Sequence, residues 1–189
     1  MTFPVNMGTL ASSFGQNGAA TAIIVPQKPT ALTISYAQLN AETVRFQEKL
    51  AKLGVHHGDA VSIAIPNSYE FIVSFLAATW QRGIAAPLNP AYKQEEFEFY
   101  IDDLKSALAL VPRGFHAKDG PAVRAARKYK AAIAECYWNG TEVVLDVKEL
   151  GRLAGKGNHP VSEAQPDDVA LVLHTSGTTG RPKAVRTTP

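Results

Sequence analysis

The sequence predicts an α/β fold: a mainly parallel sheet flanked by helices on both faces. Three observations predict it. Short apolar runs fit buried strands at Ala60 to Ile65, Ile84 to Leu88, Ala107 to Val111 and Val169 to His174. Segments with helical apolar spacing alternate with those runs, and Gly, Pro and Asn punctuate the joins. A chain of 189 residues is one domain or a large piece of one, and its 46% apolar content can fill a core and argues against disorder.

In chain order, residues 1–20 are rich in Gly, Ser and Asn, with a weak helix expected around Leu10 to Phe14. Ala22 to Val25 and Leu32 to Ser35 read as the two strands of a hairpin, turned by Pro26-Gln27-Lys28-Pro29. Ser35 then suits a helix N-cap, with Gln38 three residues on as in a capping box. Leu39, Phe46, Leu50 and Leu53 follow at helical spacing, Glu42, Arg45, Glu48 and Lys49 take the other faces, and Gly54 supplies the stop. Ser68 caps a second helix over Tyr69 to Arg82, with Phe71, Ile72, Phe75, Leu76 and Thr79 on its apolar face and Gly83 ending it. A third helix spans Lys93 to Lys105, with Glu95 and Glu96 at the positive end of its dipole. Pro121 to Cys136 reads as a basic helix and Glu142 to Asp146 as a short strand. Lys148 to Asp168 reads as a polar connection.

Several functional classes lose support from the residues alone. With 19 Lys and Arg against 17 Asp and Glu, a net charge of +2 gives no argument for nucleic acid or an anionic membrane. Arg124, Arg127, Lys128 and Lys130 would fit an anion or membrane surface, but a solvated outer face explains them more simply. Tyr92, Phe97, Phe99 and Tyr100 have the spacing of core packing rather than of base stacking. Adjacent His56 and His57 do not converge on one metal ion, and a lone Cys136 reads as an inert apolar side chain. The first 27 residues hold no Lys or Arg, which speaks against a secretory signal or a transit peptide. The run from Phe71 to Trp80 is too short to span a bilayer, and Thr187-Thr188-Pro189 is no peroxisomal address. The expectation is a soluble protein, cytoplasmic or peroxisomal, with no targeting signal of its own.

One segment carries chemistry. After the apolar strand come Thr175, Ser176, Gly177, Thr178, Thr179, Gly180, Arg181, Pro182 and Lys183. Glycines let a backbone turn sharply and approach a ligand, and the freed N–H groups form a nest for anionic oxygens. The hydroxyls of Thr175, Ser176, Thr178 and Thr179 add donors, and Lys183 adds a charge suited to a triphosphate, with Arg181 as a possible second. The segment lacks the Gly-Lys-Ser/Thr ending of a Walker loop and the third glycine of a dinucleotide fingerprint. A polar hairpin turn is the plain alternative.

This loop, from Thr175 to Lys183 after an apolar strand, resembles the signature loop of the adenylate-forming enzymes, the acyl-CoA synthetase superfamily. Leu32 to Leu39, Gly58-Asp59-Ala60-Val61, Pro66-Asn67 and Trp80 to Tyr92 resemble earlier stretches of the same superfamily, so the likeness covers nearly the whole chain. Ala86 to Tyr92, followed by Glu95 to Tyr100, is most similar to the oxalate–CoA ligase branch, also described as peroxisomal-type CoA synthetases. The resemblance implies a two-step ligation using ATP, Mg2+ and CoA: a carboxylate attacks the α-phosphate, then a thiol displaces AMP. It implies that Thr175, Ser176, Gly177, Thr178, Thr179, Gly180 and Lys183 hold the β- and γ-phosphates. Members of the superfamily continue for several hundred residues, with the carboxylate pocket and a mobile C-terminal domain. Residues 1–189 are therefore expected to be part of the N-terminal domain, ending just after the phosphate loop at 174–183, with no catalytic residue among them. Ala184 stands where a glycine is common in the superfamily. A loop held at an untethered end is expected to fray, so the chain alone is expected to be inactive and to bind ATP weakly. Two other possibilities stay open: a non-catalytic short form that binds a partner, and an unrelated phosphate-binding domain complete at this length.

Overall fold

The computed structural model describes residues 18–26, 28–161, 163, 165–175 and 183–188. The helix expected at Leu10 to Phe14 lies outside the described residues. Strands β1 (Thr21–Val25) and β2 (Leu32–Ser35) pair antiparallel, from Thr21↔Ser35 to Val25↔Leu32, and form a small separate sheet. The main sheet has seven strands: β3 (Ala60–Ile63), β4 (Ile84–Pro87), β5 (Leu108–Val111), β6 (Ala132–Trp138), β7 (Val143–Glu149), β8 (Leu171–Thr175) and β9 (Lys183–Thr187). Their order is β7-β6-β5-β3-β4-β8-β9. The five inner strands run parallel, and each edge is closed by an antiparallel partner.

Helices α1 (Tyr36–Leu53) and α2 (Tyr69–Trp80) cover one face, and α3 (Gln94–Asp103) and α4 (Pro121–Lys128) the other. The two-residue period of the strands sorts the core between these faces. In β5, Leu108 and Leu110 join Phe46, Leu50 and Val73 on the first face, while Ala109 and Val111 join Phe97, Ile101 and Val123 on the second. Phe46 is fully buried, and its truncation to Ala would cost about 3–5 kcal/mol. No described helix is long and apolar enough to cross a membrane.

Helix α1 begins as its sequence dictates. Ser35 Oγ accepts the Gln38 N–H at 3.2 Å, and Gln38 Oε1 accepts the Ser35 N–H at 2.8 Å. It stops at Gly54, whose φ of 89° lets its N–H and that of Val55 turn back to the carbonyls of Ala51 and Leu50. Glu42, off the apolar row by spacing, is nonetheless only 2% exposed. Its Oε1 accepts the Val143 N–H at 2.6 Å and its other oxygen pairs with Arg45. A backbone donor left over at the β6–β7 turn makes this burial possible.

Helix α2 also ends differently from the expectation. Its stop is Arg82, at φ 56°, rather than Gly83. The Arg82 N–H reaches the Thr79 carbonyl and the Gly83 N–H the Ala78 carbonyl, both at 2.9 Å. Gly83 serves close packing: a Cβ there would stand 3.0 Å from the Asp59 carbonyl oxygen. Lys105 and Lys130 end α3 and α4 in the same left-handed conformation, at φ 50° and 59°. Cations at these ends face the negative pole of the helix dipole. The buried positions of α2 centre on Val73, Leu76, Ala77 and Ala78, while Phe71 and Phe75 lie half-buried against each other.

The basic helix expected over Pro121 to Cys136 is two elements. Helix α4 stops at Lys128, and Ala132 to Trp138 is strand β6. Every residue from Ala131 to Cys136 is buried, on both faces of the sheet, so the run has no polar alternation to announce a strand. Strand β6 then turns through Asn139, whose Oδ1 accepts the N–H groups of Thr141 and Glu142 at 2.8 and 2.9 Å, into β7.

Candidate functional site

Strand β8 enters the sheet beside β4, with Ala85 paired to Leu171 and the Ala85 N–H donating to the Ala170 carbonyl at 2.9 Å. It leaves at the carboxyl ends of the parallel strands, where open α/β sheets bind ligands. Strand β9 returns antiparallel, from Thr175↔Lys183 to Leu171↔Thr187. Thr175 and Lys183, the outermost of the expected phosphate-loop residues, are thus cross-strand partners that close the mouth of the loop. Ser176, Gly177, Thr178, Thr179 and Gly180 lie outside the described residues, as do Arg181 and Pro182.

Two polar clusters hold β8. Before the strand, Asp168 is 7% exposed and takes a bidentate pair from Arg82, at 2.8 and 2.9 Å. It also accepts the His57 Nε2–H at 3.0 Å and the Gln165 N–H at 2.8 Å. The Arg82 hydrogen bonds outweigh burial and, with the Gln165 N–H, hold the Asp168 carboxyl down at about 2. At the other end, the His174 side chain is 4% exposed. Its Nε2 lies 3.0 Å from Asp103 Oδ2, and its ring centre 4.6 Å from that of Tyr100. Burial, reinforced by Tyr92, pushes the Tyr100 phenol up to about 12, so it stays neutral beside the imidazole.

The adjacent histidines take structural roles. His57 serves Asp168, and His56 stacks on His159 with ring centres 3.9 Å apart. Among the described residues no group of three or more His, Cys, Asp or Glu is arranged to hold a metal ion. Cys136 is buried in β6, and burial pushes its thiol up, so it behaves as a small apolar side chain. The cations of α4 are spent on neighbours: Arg127 pairs with Asp119 and Glu149, and Lys128 with Glu98. That matches a solvated face rather than an anion surface. Tyr92, Phe97 and Tyr100 pack together as core, whereas Phe99 is 37% exposed and sits edge-on to His174. Sequence reasoning missed the Arg82–Asp168 and Asp103–His174 pairs, because their members stand 86 and 71 residues apart.

Among the described residues are cavities that neither Thr175 nor Lys183 lines. One, of about 110 Å3, opens at the carboxyl ends of the parallel neighbours β3 and β5 and is lined by Ala64, Val111, Phe115 and Val123, with Lys118 at its wall. It lacks the converging polar donors that a nucleotide needs. Another, of about 210 Å3, lies between α1 and the β6–β7 turn and is lined by Gln38, Glu42, Arg45, Tyr69 and Trp138. Burial pushes the Tyr69 phenol up to about 12.

A mostly parallel sheet with helices on both faces, whose last parallel strand ends at the start of a hydroxyl- and glycine-rich segment, defines an α/β domain of the adenylate-forming type. The AMP-binding enzyme family model matches residues 11–188, and the chain belongs to that family. It is 40% identical to an oxalate–CoA ligase of Arabidopsis thaliana over 155 residues, which is 80% of this chain and 29% of that protein. It is 34% identical to an oxalate–CoA ligase of Saccharomyces cerevisiae over 204 residues, covering 94% of this chain and 37% of that one. The crystal structure of apo MatB from Rhodopseudomonas palustris superposes with a TM-score of 0.67 at 26% identity, over 88% of this chain and 32% of that chain. The chain therefore spans about a third of the length of the relatives it matches.

Proposed function

We propose that this chain is the N-terminal part of an ATP-dependent carboxylate–CoA ligase, with oxalate as the acid. The observation that carries the proposal is the placement of the loop between Thr175 and Lys183 at the carboxyl end of β8, within a chain similar to two oxalate–CoA ligases. In the proposed reaction a carboxylate oxygen bonds to the α-phosphorus of ATP and the bond to pyrophosphate breaks. A thiolate of CoA then attacks the acyl carbon, and AMP leaves. Thr175, Ser176, Gly177, Thr178, Thr179, Gly180 and Lys183 would cradle the β- and γ-phosphates, which become the leaving pyrophosphate. Their task is to position those phosphates and stabilise developing charge; none supplies a nucleophile.

Mg2+ would neutralise phosphate charge in the first step. The described residues offer no carboxylate cage for it. Residues 1–189 would form part of the N-terminal domain, ending just after the loop at 174–183, and the chain alone would not turn over.

The test is pyrophosphate release by the intact ligase that carries this chain. Release that depends on oxalate, and falls at least about tenfold in a Lys183→Ala variant, is the expected result. Activity with longer acids and none with oxalate would overturn the substrate assignment and leave the ligase assignment standing.

A further inference from the structure

We propose that His174 is a positioning residue for the phosphate loop, tying the end of β8 to the C-terminus of α3 through Asp103. The inference rests on the proposed role of that loop and adds a residue to it.

The argument starts from how little else fixes this end of the strand. Strand β8 meets β4 at its beginning, through Ala85 and Leu171. From there to Thr175 its ladder partner is β9, an edge strand. The Leu173↔Val185 pair lies 45% and 48% exposed, so apolar packing gives little restraint on that face, and on the other face of β8 Val172, two residues short of the loop, is buried. Asp168 anchors the strand from before its start. At the loop end, the His174 side chain is 4% exposed and reaches across to α3.

Chemistry makes this tie directional. The Asp103 carboxylate accepts, so the Nε2–H of His174 donates, at 3.0 Å. The ring lies at 4.6 Å from Tyr100 and 6.2 Å from Phe99, which fixes its plane as well as its reach. Thr175 follows directly, so a displaced imidazole displaces the first residue of the loop. A phosphate cradle tolerates little misplacement, since its donors act at hydrogen-bond distances.

Hydrogen exchange on the 189-residue chain, together with steady-state kinetics of the intact ligase, tests the proposal. The variants are His174→Phe, which keeps a ring against Tyr100 and loses the donor, and His174→Gln, which keeps a donor and loses the ring. In His174→Phe the amides of β8 and β9 should exchange about tenfold faster, with the melting temperature of the chain unchanged, and His174→Gln should recover part of the protection. In the ligase, His174→Phe should raise KM for ATP about fivefold and leave KM for the carboxylate unchanged. Unchanged exchange in β8 and β9, or faster exchange spread over the whole sheet, would overturn the tie. Equal rises in both KM values, or none, would overturn its role in placing the loop. A wild-type ligase that releases no ATP-dependent pyrophosphate sinks the functional assignment instead, and the exchange result still decides the tie.

Discussion

The two edges of the main sheet are both closed by antiparallel hairpins, and they are built on opposite principles. At one edge, β6 and β7 pair from Ile133↔Glu149 to Trp138↔Val143, and the chain packs down on them. Val143 is fully buried, Glu42 of α1 accepts its N–H, and Lys49 pairs with Glu142 at 2.5 Å. At the other edge, β8 and β9 keep Leu173 and Val185 about half exposed, and hold their place through point contacts at Asp168 and His174. The first edge is fixed by buried area together with a buried hydrogen bond, and the second has less buried area and leans on a few oriented hydrogen bonds. The expected phosphate loop sits on the second. Buried area resists unfolding but tolerates small slips in geometry, whereas a short charge-assisted hydrogen bond specifies a direction.

The largest test of this contrast is Glu42→Ala. It strands the buried Val143 N–H, while the exposed Arg45 guanidinium returns to water, and should cost about 2 kcal/mol of global stability by urea denaturation. A loss below about 1 kcal/mol would mean that area alone holds the β6–β7 edge. Acid is the next probe. The Asp168 carboxyl titrates at about 2 when folded, against an ordinary 3.8, so its contribution is present at neutral pH and is lost as pH falls from about 4 through about 2. That contribution is about 2 kcal/mol. Stability of the wild-type chain should therefore fall more steeply over that window than stability of Asp168→Asn, and parallel curves would remove Asp168 from the account. The smallest effect expected is at Val185→Thr. On an exposed face of β9 it should shift stability by no more than about 0.5 kcal/mol. A larger loss would show that the outer hairpin is held by packing after all.

Much of this architecture was legible in the sequence wherever a local signal decided the structure. Ser35 with Gln38, and Gly54, marked both ends of α1 because capping is settled within a few residues. The parallel core strands showed as short apolar runs for the same reason. What escaped was decided at a distance. Ala131 to Cys136 gives no strand signal, because small buried residues on both faces have no alternation, and only its place between β5 and β7 makes it a strand. Glu42 looked like a surface acid until a backbone donor from Val143, 101 residues away, came to meet it. The segment from Thr175 to Lys183 stood out by its composition, and the two residues that bound it pair across β8 and β9. Its supports were not recognisable: His57, Arg82 and Asp103 carry no sign that they serve Asp168 and His174.

Arg82 has a further consequence, for the order of assembly. Its left-handed backbone ends α2, and its guanidinium receives Asp168. The receptor for the incoming strand is thus a finished helix end, and it is complete once residues 56 to 85 have folded. That unit emerges from synthesis before Leu171, so a chain that folded as it emerged would offer β8 a slot beside β4. A change that frays the end of α2 would leave the core strands paired and the slot unformed. The loop-bearing hairpin would then be the last element to dock and the first to be lost.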